Sequence, residues 1–270
     1  MNEKLEQLQM LLTKMGNALI AYSGGVDSLF VAKVAHDCLQ ERVIALTAVS
    51  PSYPTYELEE AKNNAKKIGI HHLVVKTNEL DNPQYRANQG DRCYHCKTEL
   101  YDVCTAKAKE LGIRTILNGT NLDDLGDYRP GLKAATEWEV RSPLVEVGMT
   151  KKEIREFSKF LGLPTWDKQA LACLSSRFPP GTEVTEERLA RIDRIESGLQ
   201  QMGFKKFRVR FHEPIARIEV GEDDLQKVMI PEIRGKISAL CHENGFLYAS
   251  LDLDGYQVGS VNQILYPLKM

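Results

Sequence analysis

No run of apolar residues in this 270-residue sequence is long enough to form a membrane-spanning helix. The amino terminus is charged and amphipathic, which is unlike a secretory signal peptide. Neither sign of charge is in excess, because 35 basic and 37 acidic residues leave a formal net charge of −2. That balance argues against a long nucleic-acid surface and leaves room only for a local basic patch. These absences predict a cytoplasmic protein that binds neither membranes nor nucleic acid.

Cysteine is also scarce, with six residues in the chain, and internal repeats and low-complexity runs are absent. Disulfides are rare in the cytoplasm, so we expect these thiols to stay reduced, to bind a metal or to react. Apolar residues make up 43% of the sequence, which is enough for a sizeable core. A chain of this length forms one large domain or two domains of ordinary size.

The most informative stretch is a glycine-rich turn, Ser23-Gly24-Gly25-Val26-Asp27-Ser28. A short apolar run, 18–21, precedes it and predicts a buried strand, while apolar residues at helical spacing follow it. Two glycines let the backbone approach an anion closely, and the start of the helix directs its N–H groups to the same place. Ser23 and Ser28 add hydroxyl donors. The turn therefore predicts a phosphate-binding site.

This turn lacks the Gly-Lys-Ser/Thr ending of a Walker A loop, so transfer of the terminal phosphoryl group of ATP is not expected. Asp27 is unusual beside a phosphate, because two negative charges repel unless a cation lies between them, and Mg²⁺ is the expected cation. The motif resembles the PP-loop of the ATP pyrophosphatases. This resemblance implies that ATP is cleaved between its α- and β-phosphates and that an oxygen of a second substrate is adenylated.

Strands alternate with helices through the first part of the chain. Predicted strands at 18–21, 42–49, 72–76 and 115–120 are separated by predicted helices, which is typical of an α/β fold with a doubly wound parallel sheet. Ligands bind such sheets at the carboxyl ends of the strands. At that edge we expect the nucleotide-binding residues, which are Ser23, Gly24, Gly25, Asp27, Ser28, Ser50, Gly119, Asp127 and Arg129.

A segment that contains several helix and strand breakers, 168–184, marks a change of pattern. Beyond it, the strands 206–211 and 215–220 are predicted to pair as a hairpin within a small α+β domain. We therefore predict a PP-loop domain over 1–175. A smaller substrate-binding or oligomerisation domain is predicted over 176–270.

Three cysteines lie in settings that suggest chemistry. Cys93 and Cys96 form a C-x-x-C pair directly before a predicted helix, whose dipole lowers the pKa of a nearby thiol, and Cys173 lies in the breaker segment. The pattern leaves open a zinc site with His95 as fourth ligand, a redox disulfide, or an iron–sulfur cluster in which one iron lacks a protein ligand. The remaining cysteines occupy apolar helical positions and are expected to be small buried residues: Cys38, Cys104 and Cys241.

Four basic residues are candidates to hold one anionic ligand: Lys97, Arg177, Arg208 and Arg210. Arg208 and Arg210 share one face of a predicted strand, which suits a bidentate clamp on phosphate or carboxylate. Glu196 lies on the helix before that strand and is a candidate to orient an arginine.

The sequence resembles the LarE family of PP-loop sulfur transferases over nearly its entire length. The resemblance rests on the PP-loop and on later, more specific motifs, which are Asp127-Tyr128-Arg129-Pro130-Gly131-Leu132-Lys133-Ala134, Ser175-Ser176-Arg177-Phe178-Pro179, and Arg208-Val209-Arg210-Phe211-His212 with Ile215-Ala216-Arg217-Ile218-Glu219. That family serves the nickel-pincer nucleotide cofactor of lactate racemase. The resemblance implies an enzyme that uses ATP and Mg²⁺ to adenylate the carboxylates of pyridinium-3,5-biscarboxylate mononucleotide. Sulfur then replaces AMP and gives thiocarboxylates.

The resemblance also implies the source of the sulfur. Family members that sacrifice their own cysteine carry it at the position of Ala172, and alanine cannot donate sulfur. The sequence instead resembles the branch in which three cysteines hold a [4Fe–4S] cluster, which implies Cys93, Cys96 and Cys173 as ligands and a labile sulfide on the fourth iron. Sacrifice of Cys173 is the alternative. The residues implied in substrate binding are Lys97, Ser176, Arg177, Arg208 and Arg210.

Other classes of protein share parts of this pattern. A tRNA-thiolating PP-loop enzyme needs a basic RNA surface, which the net charge of −2 does not favour. An amidotransferase-like ligase would use ammonia and leave the cysteines without a role, and a non-enzymatic nucleotide- or zinc-binding module is a third alternative. The expected partners are a small nucleotide substrate, hydrosulfide or another sulfur donor, and further copies of the chain. The resemblance suggests a homo-oligomer, with a hexamer as the expected form.

Overall fold

The computed structural model describes residues 2–126 and 130–257. The chain divides into two compact units, and each unit gathers segments that are separated in the sequence. The first unit contains Met1–Ser50, Glu57–Glu79 and Asp91–Leu171. The second unit contains Pro51–Tyr56, Leu80–Gly90 and Ala172–Met270. Two short internal segments therefore belong with the carboxyl-terminal part of the chain.

The described part of the chain alternates between strands and helices. The strands are β1 (Ala18–Ala21), β2 (Val43–Val49), β3 (His71–Lys76), β4 (Ile116–Leu117), β5 (Phe207–His212), β6 (Ile215–Val220) and β7 (Tyr248–Leu251). The helices are α1 (Asn2–Met15), α2 (Val26–Leu39), α3 (Thr55–Ile68), α4 (Pro83–Ala87), α5 (Arg92–Glu110), α6 (Pro130–Glu137), α7 (Pro143–Glu146), α8 (Lys151–Phe160), α9 (Glu186–Gln201), α10 (Glu222–Met229) and α11 (Pro231–Glu243).

The first unit is built around a parallel sheet with the strand order β3–β2–β1–β4. Every pairing between neighbouring strands is parallel, as βαβ connections require. Helices flank this sheet and complete an α/β unit. The predicted fold class is therefore confirmed, and the carboxyl ends of the strands meet at one edge.

The central strand β1 is buried along its whole length, because apolar clusters cover both faces of the sheet. Alternate residues of a strand point to opposite faces. Ile20 belongs to a cluster with residues of α1, α2 and α8, including Phe30. Leu19 belongs to a second cluster with residues of α5 and α6, including Tyr101. The two cores fix the point at which β1 ends, and with it the position of the turn that follows.

The second unit contains a three-stranded sheet with the order β5–β6–β7. Strands β5 and β6 pair antiparallel, as the predicted hairpin requires, and β7 adds to β6 in parallel. Val209 and Phe211 are buried on one face of β5, where Phe211 contacts Phe178 and Phe246. The other face of the hairpin carries charged residues, of which Arg208, Arg210 and Glu219 are also buried.

Some boundaries differ from the predicted ones. The predicted strand 115–120 is reduced to β4, because the Asn118 side chain accepts a hydrogen bond of 3.0 Å from the Thr120 backbone and turns the chain. Helix α5 begins before the cysteine pair rather than after it. Helix α10 was not predicted, although three acidic residues in its first turn, 222–224, favour a helix start. Among the described residues, none of the helices combines the length and apolar character needed to cross a bilayer.

Candidate functional site

The glycine-rich turn connects β1 to α2, as predicted. Gly24 has a φ of 72°, a left-handed conformation that favours glycine, and Gly25 caps the helix without a side-chain hydrogen bond. The hydroxyl oxygens of Ser23 and Ser28 lie 3.1 Å apart, and the Ser28 hydroxyl also accepts the Ser23 backbone N–H at 3.2 Å. The first N–H groups of α2 have no helical acceptors of their own, so the turn offers an anion-binding surface.

Gly119 lies directly against the start of α2. A Cβ atom at this position would lie 2.8 Å from the backbone nitrogen of Ser28 and 3.1 Å from the carbonyl carbon of Asp27. Glycine is therefore needed here for space, and its absence of a side chain lets the end of β4 approach the PP-loop. Gly119 is one of the predicted nucleotide-binding residues.

Asp27 is the charged residue of the PP-loop. Its Oδ2 accepts a hydrogen bond of 2.5 Å from Lys151 Nζ, whereas its Oδ1 is buried and has no hydrogen-bond partner in the described chain. Burial raises the pKa of Asp27, Lys151 lowers it by less, and Asp124 adds to the increase. A buried carboxylate oxygen without a donor fits a cation ligand, so the residues present are compatible with Mg²⁺ at Asp27.

Ser50 follows β2 at the same edge of the sheet. Its hydroxyl donates to the carboxylate of Glu79, which lies after β3 and also accepts from Thr77 at 3.4 Å. Glu79 is buried. Glu79 was not among the predicted site residues, although a carboxylate just after a parallel strand could have indicated it.

The polar loop after β4 is described only in part. Asp127 and Arg129, which are among the predicted nucleotide-binding residues, lie outside the described residues. Within the described part, Asp123 accepts a hydrogen bond of 2.8 Å from the backbone N–H of Lys151, and Asp124 accepts one of 3.0 Å from Asn121. These contacts hold the loop against the start of α8.

The cysteine pair lies inside the first two turns of α5. The expectation that it precedes the helix was wrong, because α5 begins at Arg92. Cys93 is exposed and Cys96 is half-buried, and a spacing of three residues places both on one face of the helix. Within residues 2–126 and 130–257, no group of three or more His, Cys, Asp or Glu side chains is arranged to hold a metal ion.

Lys97 follows this pair on α5, and its Nζ lies 5.9 Å from the centre of the Tyr101 ring. Gly131 allows close packing at this point, since a Cβ there would come within 2.9 Å of Lys97 Cγ. Burial lowers the pKa of Lys97, whereas the ionised forms of Tyr101 and of the nearby cysteines raise it by more. The net effect is a raised pKa of Lys97, and the side chain lies near Cys93 and Cys96.

The remaining cysteines are structural. Cys104 and Cys241 are fully buried, and burial raises the pKa of Cys104 to about 12 and that of Cys241 to about 11. Cys38 is half-buried, and burial raises its pKa as well. The prediction that these residues are packing residues is confirmed for Cys104 and Cys241, because a buried thiol that resists ionisation is a poor nucleophile.

Cys173 begins a short 3₁₀ turn, Leu174–Arg177, in the second unit. The turn is anchored on both sides: the Leu174 backbone donates to the Ser52 carbonyl at 2.7 Å, and the hydroxyls of Ser175 and Tyr85 lie 2.6 Å apart. The segment after the turn is held by the side chain of Asn88, which donates to the carbonyls of residues 178, 179 and 182. The Cys173 backbone is therefore held in a defined position.

Arg177 and Glu196 form a buried ion pair, and the two side chains are 1% and 0% exposed. Nε donates to Glu196 Oε1 at 3.0 Å and Nη2 donates to Oε2 at 2.7 Å. Nη1 donates to the carbonyls of Ala172 at 2.6 Å and Cys173 at 2.7 Å. Burial raises the pKa of Glu196, but Arg177, Arg208 and the Val209 N–H together lower it by more. The Arg177 guanidinium thus binds the backbone on both sides of the Cys173 amide.

The polar face of the hairpin carries the other predicted arginines. Arg210 forms two hydrogen bonds with buried Glu219, at 2.9 and 2.7 Å, and donates to the Ser176 carbonyl at 3.2 Å. Arg208 donates to the Phe207 carbonyl at 2.8 Å. Burial and the positive charge of Arg177 lower the pKa of Arg208, whereas the negative charge of Glu196 raises it by less.

This polar face extends beyond the predicted residues. Arg217 pairs with Asp252 at 2.7 Å and with Glu219 at 3.3 Å, yet its Nε is buried without a partner in the described chain. The same is true of His212 Nε2. Side chains alternate between the two faces of a strand, so His212 and Arg217 lie on the same face of the hairpin as Arg210. This alternation could have been recognised from the sequence.

Comparison with known proteins gives matches over nearly the whole chain. An uncharacterized protein of Synechocystis sp. is 48% identical over 98% of this chain and 99% of its own length. The pyridinium-3,5-bisthiocarboxylic acid mononucleotide synthase of Lactiplantibacillus plantarum is 34% identical over 97% of this chain and 95% of its own. An uncharacterized protein of Methanocaldococcus jannaschii is 30% identical over 88% and 90%, respectively. The NAD synthase family model matches residues 3–101.

A parallel sheet whose first strand leads through Ser-Gly-Gly-x-Asp-Ser into a helix defines the PP-loop class of ATP-using enzymes. The similarity over the full length narrows this class further. The chain belongs to the LarE-type family of PP-loop sulfur transferases, and it is an ATP-dependent enzyme. The family resemblance found in the sequence is thereby confirmed.

Replacing Gly119 with alanine is expected to weaken nucleotide binding. The new Cβ would overlap the backbone of Ser28, and relieving that overlap moves the start of α2, with a loss of about 1–3 kcal/mol in the free energy of unfolding. Calorimetric titration with a non-hydrolysable ATP analogue and unfolding in urea measure the two effects. Gly235→Ala is the control, because nothing lies within 4 Å of a Cβ there. Equal behaviour of the two variants would contradict the prediction.

Removing one member of the Arg177–Glu196 pair is expected to cost about 3–5 kcal/mol in the free energy of unfolding, since the other charge stays buried. The double variant Arg177→Met/Glu196→Leu should recover part of that loss. The single variant at Arg177 and the double variant should also raise the alkylation rate of Cys173. In both, the carbonyls of Ala172 and Cys173 lose the guanidinium that donates hydrogen bonds to them. Lys236→Ala, which breaks an exposed ion pair with Glu232, is the control and should have a far smaller effect. If the loss of unfolding free energy in the double variant equals the sum of the losses in the two single variants, Arg177 and Glu196 are not coupled.

Proposed function

We propose that the protein is an ATP-dependent sulfur transferase acting on pyridinium-3,5-biscarboxylate mononucleotide. It adenylates the carboxylates of this substrate and converts them to thiocarboxylates, for biosynthesis of the nickel-pincer nucleotide cofactor. The observation that carries the proposal is the 34% identity, over 97% of the chain, to a synthase of the corresponding bisthiocarboxylic acid mononucleotide. The PP-loop and the arginine-rich hairpin support it.

Adenylation is the task of the PP-loop edge of the first unit. A carboxylate is a poor electrophile, so its oxygen must first be converted into a leaving group. In the adenylation step a substrate oxygen forms a bond to the α-phosphorus, and the bond to the bridging oxygen breaks and releases pyrophosphate. The turn amides and the hydroxyls of Ser23 and Ser28 would hold phosphate oxygens during this step. Further nucleotide contacts are proposed for Ser50, Gly119, Asp127 and Arg129.

Asp27 would hold Mg²⁺ through its buried Oδ1. When bound, the metal neutralises charge on the phosphates and stabilises the departing pyrophosphate. Without a cation between them, the Asp27 carboxylate would repel the phosphates, because both groups are negatively charged. The raised pKa of Asp27 is consistent with a carboxylate that gains a cation as its partner.

Substrate recognition falls to the basic residues. Arg208 and Arg210 lie on one face of β5, and we propose that they hold the phosphate and a carboxylate of the substrate. Lys97 on α5 and Ser176, next to Arg177, are proposed as further contacts. Arg177 itself is bound to Glu196 and to the backbone at Cys173. Its proposed role is to position Cys173.

Sulfur is proposed to come from a [4Fe–4S] cluster held by Cys93, Cys96 and Cys173. Such a cluster, with three protein ligands, leaves one iron to carry a sulfide. What supports this source is that the thiols of Cys93 and Cys96 on α5 are exposed and half-buried, whereas Ala172 cannot donate sulfur. Sacrifice of the Cys173 sulfur is the competing source. A homo-oligomer, with a hexamer as the first expectation, is part of the same proposal.

Incubation of the protein with ATP, Mg²⁺, sulfide and pyridinium-3,5-biscarboxylate mononucleotide tests the activity. We expect release of AMP and pyrophosphate and a mass shift of the substrate from carboxylate to thiocarboxylate. Asp27→Asn should abolish both the release of AMP and pyrophosphate and the formation of thiocarboxylate, because the cation loses its ligand. Asp37→Asn is the matched control on the exposed part of α2 and should leave both unchanged. Pyrophosphate release that follows added bulk tRNA instead of the mononucleotide would contradict the proposal.

The cysteines are tested by anaerobic purification followed by iron, sulfide and zinc analysis. Cys93→Ser, Cys96→Ser and Cys173→Ser should each lose most of the iron and the visible absorption, and Cys38→Ser should retain both. Protein that carries zinc without iron after reconstitution would overturn the cluster. Loss of the mass of H₂S from Cys173 after a single turnover would show the sacrificial route.

A further inference from the structure

Ser50 and Glu79 meet at the carboxyl ends of two neighbouring strands. The parallel register of β2 and β3 pairs Val49 with Lys76, and the Thr77 backbone N–H continues this pairing with a hydrogen bond of 2.9 Å to the Val49 carbonyl. The chain then turns after β3, and the Ser50 hydroxyl donates a hydrogen bond to the Glu79 carboxylate. The register of the sheet therefore brings together two side chains that are distant in the sequence.

Glu79 is held more firmly than the serine that it contacts. The Glu79 side chain is buried, and its second carboxylate oxygen accepts the Thr77 hydroxyl at 3.4 Å. The turn before Glu79 is fixed by a hydrogen bond of 2.7 Å from the Asn78 backbone N–H to Glu99. Removing a carboxylate from water is costly, and these hydrogen bonds offset part of the cost. Ser50 is only half-buried, so a ligand at this edge of the sheet can reach it.

The contact with Glu79 determines what kind of hydrogen bond Ser50 can form with a ligand. A hydroxyl group has one proton to donate and two lone pairs that accept. The proton of Ser50 is directed to the carboxylate, so the oxygen can only accept from any other group. A ligand group that binds Ser50 must therefore supply an N–H or an O–H, and a carbonyl oxygen in its place would be repelled.

The position of Ser50 in the sheet corresponds to the nucleoside part of a nucleotide. Strand β2 lies next to β1, and the Tyr22 backbone N–H, just before the PP-loop, donates to the Leu46 carbonyl at 2.8 Å. In dinucleotide-binding sheets the phosphates lie at the turn after the first strand, and an acidic side chain further along the chain accepts from a ribose hydroxyl. This chain has a serine at the end of β2, with a buried carboxylate behind it.

We propose that Glu79 is a positioning residue for nucleotide selection, which fixes the Ser50 hydroxyl as the acceptor for a hydrogen-bond donor of the ATP nucleoside. The inference rests on the proposed function, which assigns a nucleotide contact to Ser50. The donors that ATP offers there are its two ribose hydroxyls and the 6-amino group of adenine. Without Glu79 the Ser50 hydroxyl can rotate and donate as well as accept, so it no longer selects a ligand that carries a donor.

Calorimetric titration of the full-length protein with ATP, 2′-deoxy-ATP, 3′-deoxy-ATP and inosine triphosphate, in Mg²⁺ and without a second substrate, tests this role. Each analogue lacks one of the three donors. The wild-type protein should bind at least one analogue about three- to tenfold more weakly than ATP, which corresponds to one hydrogen bond. A deoxy analogue that binds weakly assigns the donor to the ribose, and weak binding of inosine triphosphate assigns it to the amino group.

Glu79→Met and Ser50→Ala should each bring the affinity ratio of ATP to that analogue close to one, and the double variant should behave as Ser50→Ala does. A purely structural role of Glu79 would weaken ATP and the analogue equally and leave the ratio as it is in the wild-type protein. Glu41→Met is the matched control, because Glu41 is exposed and precedes β2 at its opposite end. It should retain the wild-type ratio.

Two results separate this role from the proposed function. Wild-type protein that binds ATP and all three analogues equally, or a folded Glu79→Met variant that keeps the wild-type ratio, would overturn the role of Glu79 alone. Wild-type protein that does not bind ATP would overturn the proposed function as well. Circular dichroism establishes folding of each variant. If Glu79→Met is unfolded, Glu79→Gln replaces it, because the amide fills the same space and its oxygen is a weaker acceptor, so the ratio should again fall.

Discussion

The buried ion pair between Arg177 and Glu196 is the interaction on which the second unit depends. Taking two charges out of water is costly, and only close geometry with further hydrogen bonds offsets that cost. Here the two side chains make paired hydrogen bonds, and their remaining atoms bind the backbone at Ala172, Cys173 and Val209. The pair therefore connects the end of α9, the middle of β5 and the turn that carries Cys173. An apolar pair could fill the same space but would leave these backbone groups without partners.

The first unit depends on a different constraint, the burial of β1 on both faces. Because the strand cannot shift along its axis without exposing Leu19 or Ile20, the chain leaves the sheet at a fixed place. The glycines of the turn then allow the sharp change from strand to helix, and Gly119 allows the neighbouring strand end to approach. Packing far from the ligand thus determines where the phosphate-binding amides point.

Much of this arrangement could be predicted from local patterns, and the rest could not. The PP-loop, the alternating strands and the hairpin are short-range features, so their residues indicated them. Glu79, Asn88 and Lys151 act through partners that are distant in the sequence, and no local period marks such contacts. The start of α5 was misplaced because cysteine and histidine have low helix propensity, which tertiary packing against the sheet overrides. Arg217 shared a predictable strand face with Arg210, but its buried contacts depend on β7.

Two features of the chain oppose the usual local preferences, and both lie beside residues assigned to ligands. Lys151 places a positive charge at the positive end of α8, and Arg177 and Glu196 place full charges where apolar side chains pack elsewhere in the unit. Each choice carries a cost, since a neutral or acidic residue would suit the first turn of α8 better and an apolar pair would avoid the desolvation of two charges. Sequences retain such conflicts where a site needs them. The conflict at Arg177 is explained by the Cys173 backbone that it holds, and the ammonium of Lys151 is paired with Asp27 of the PP-loop.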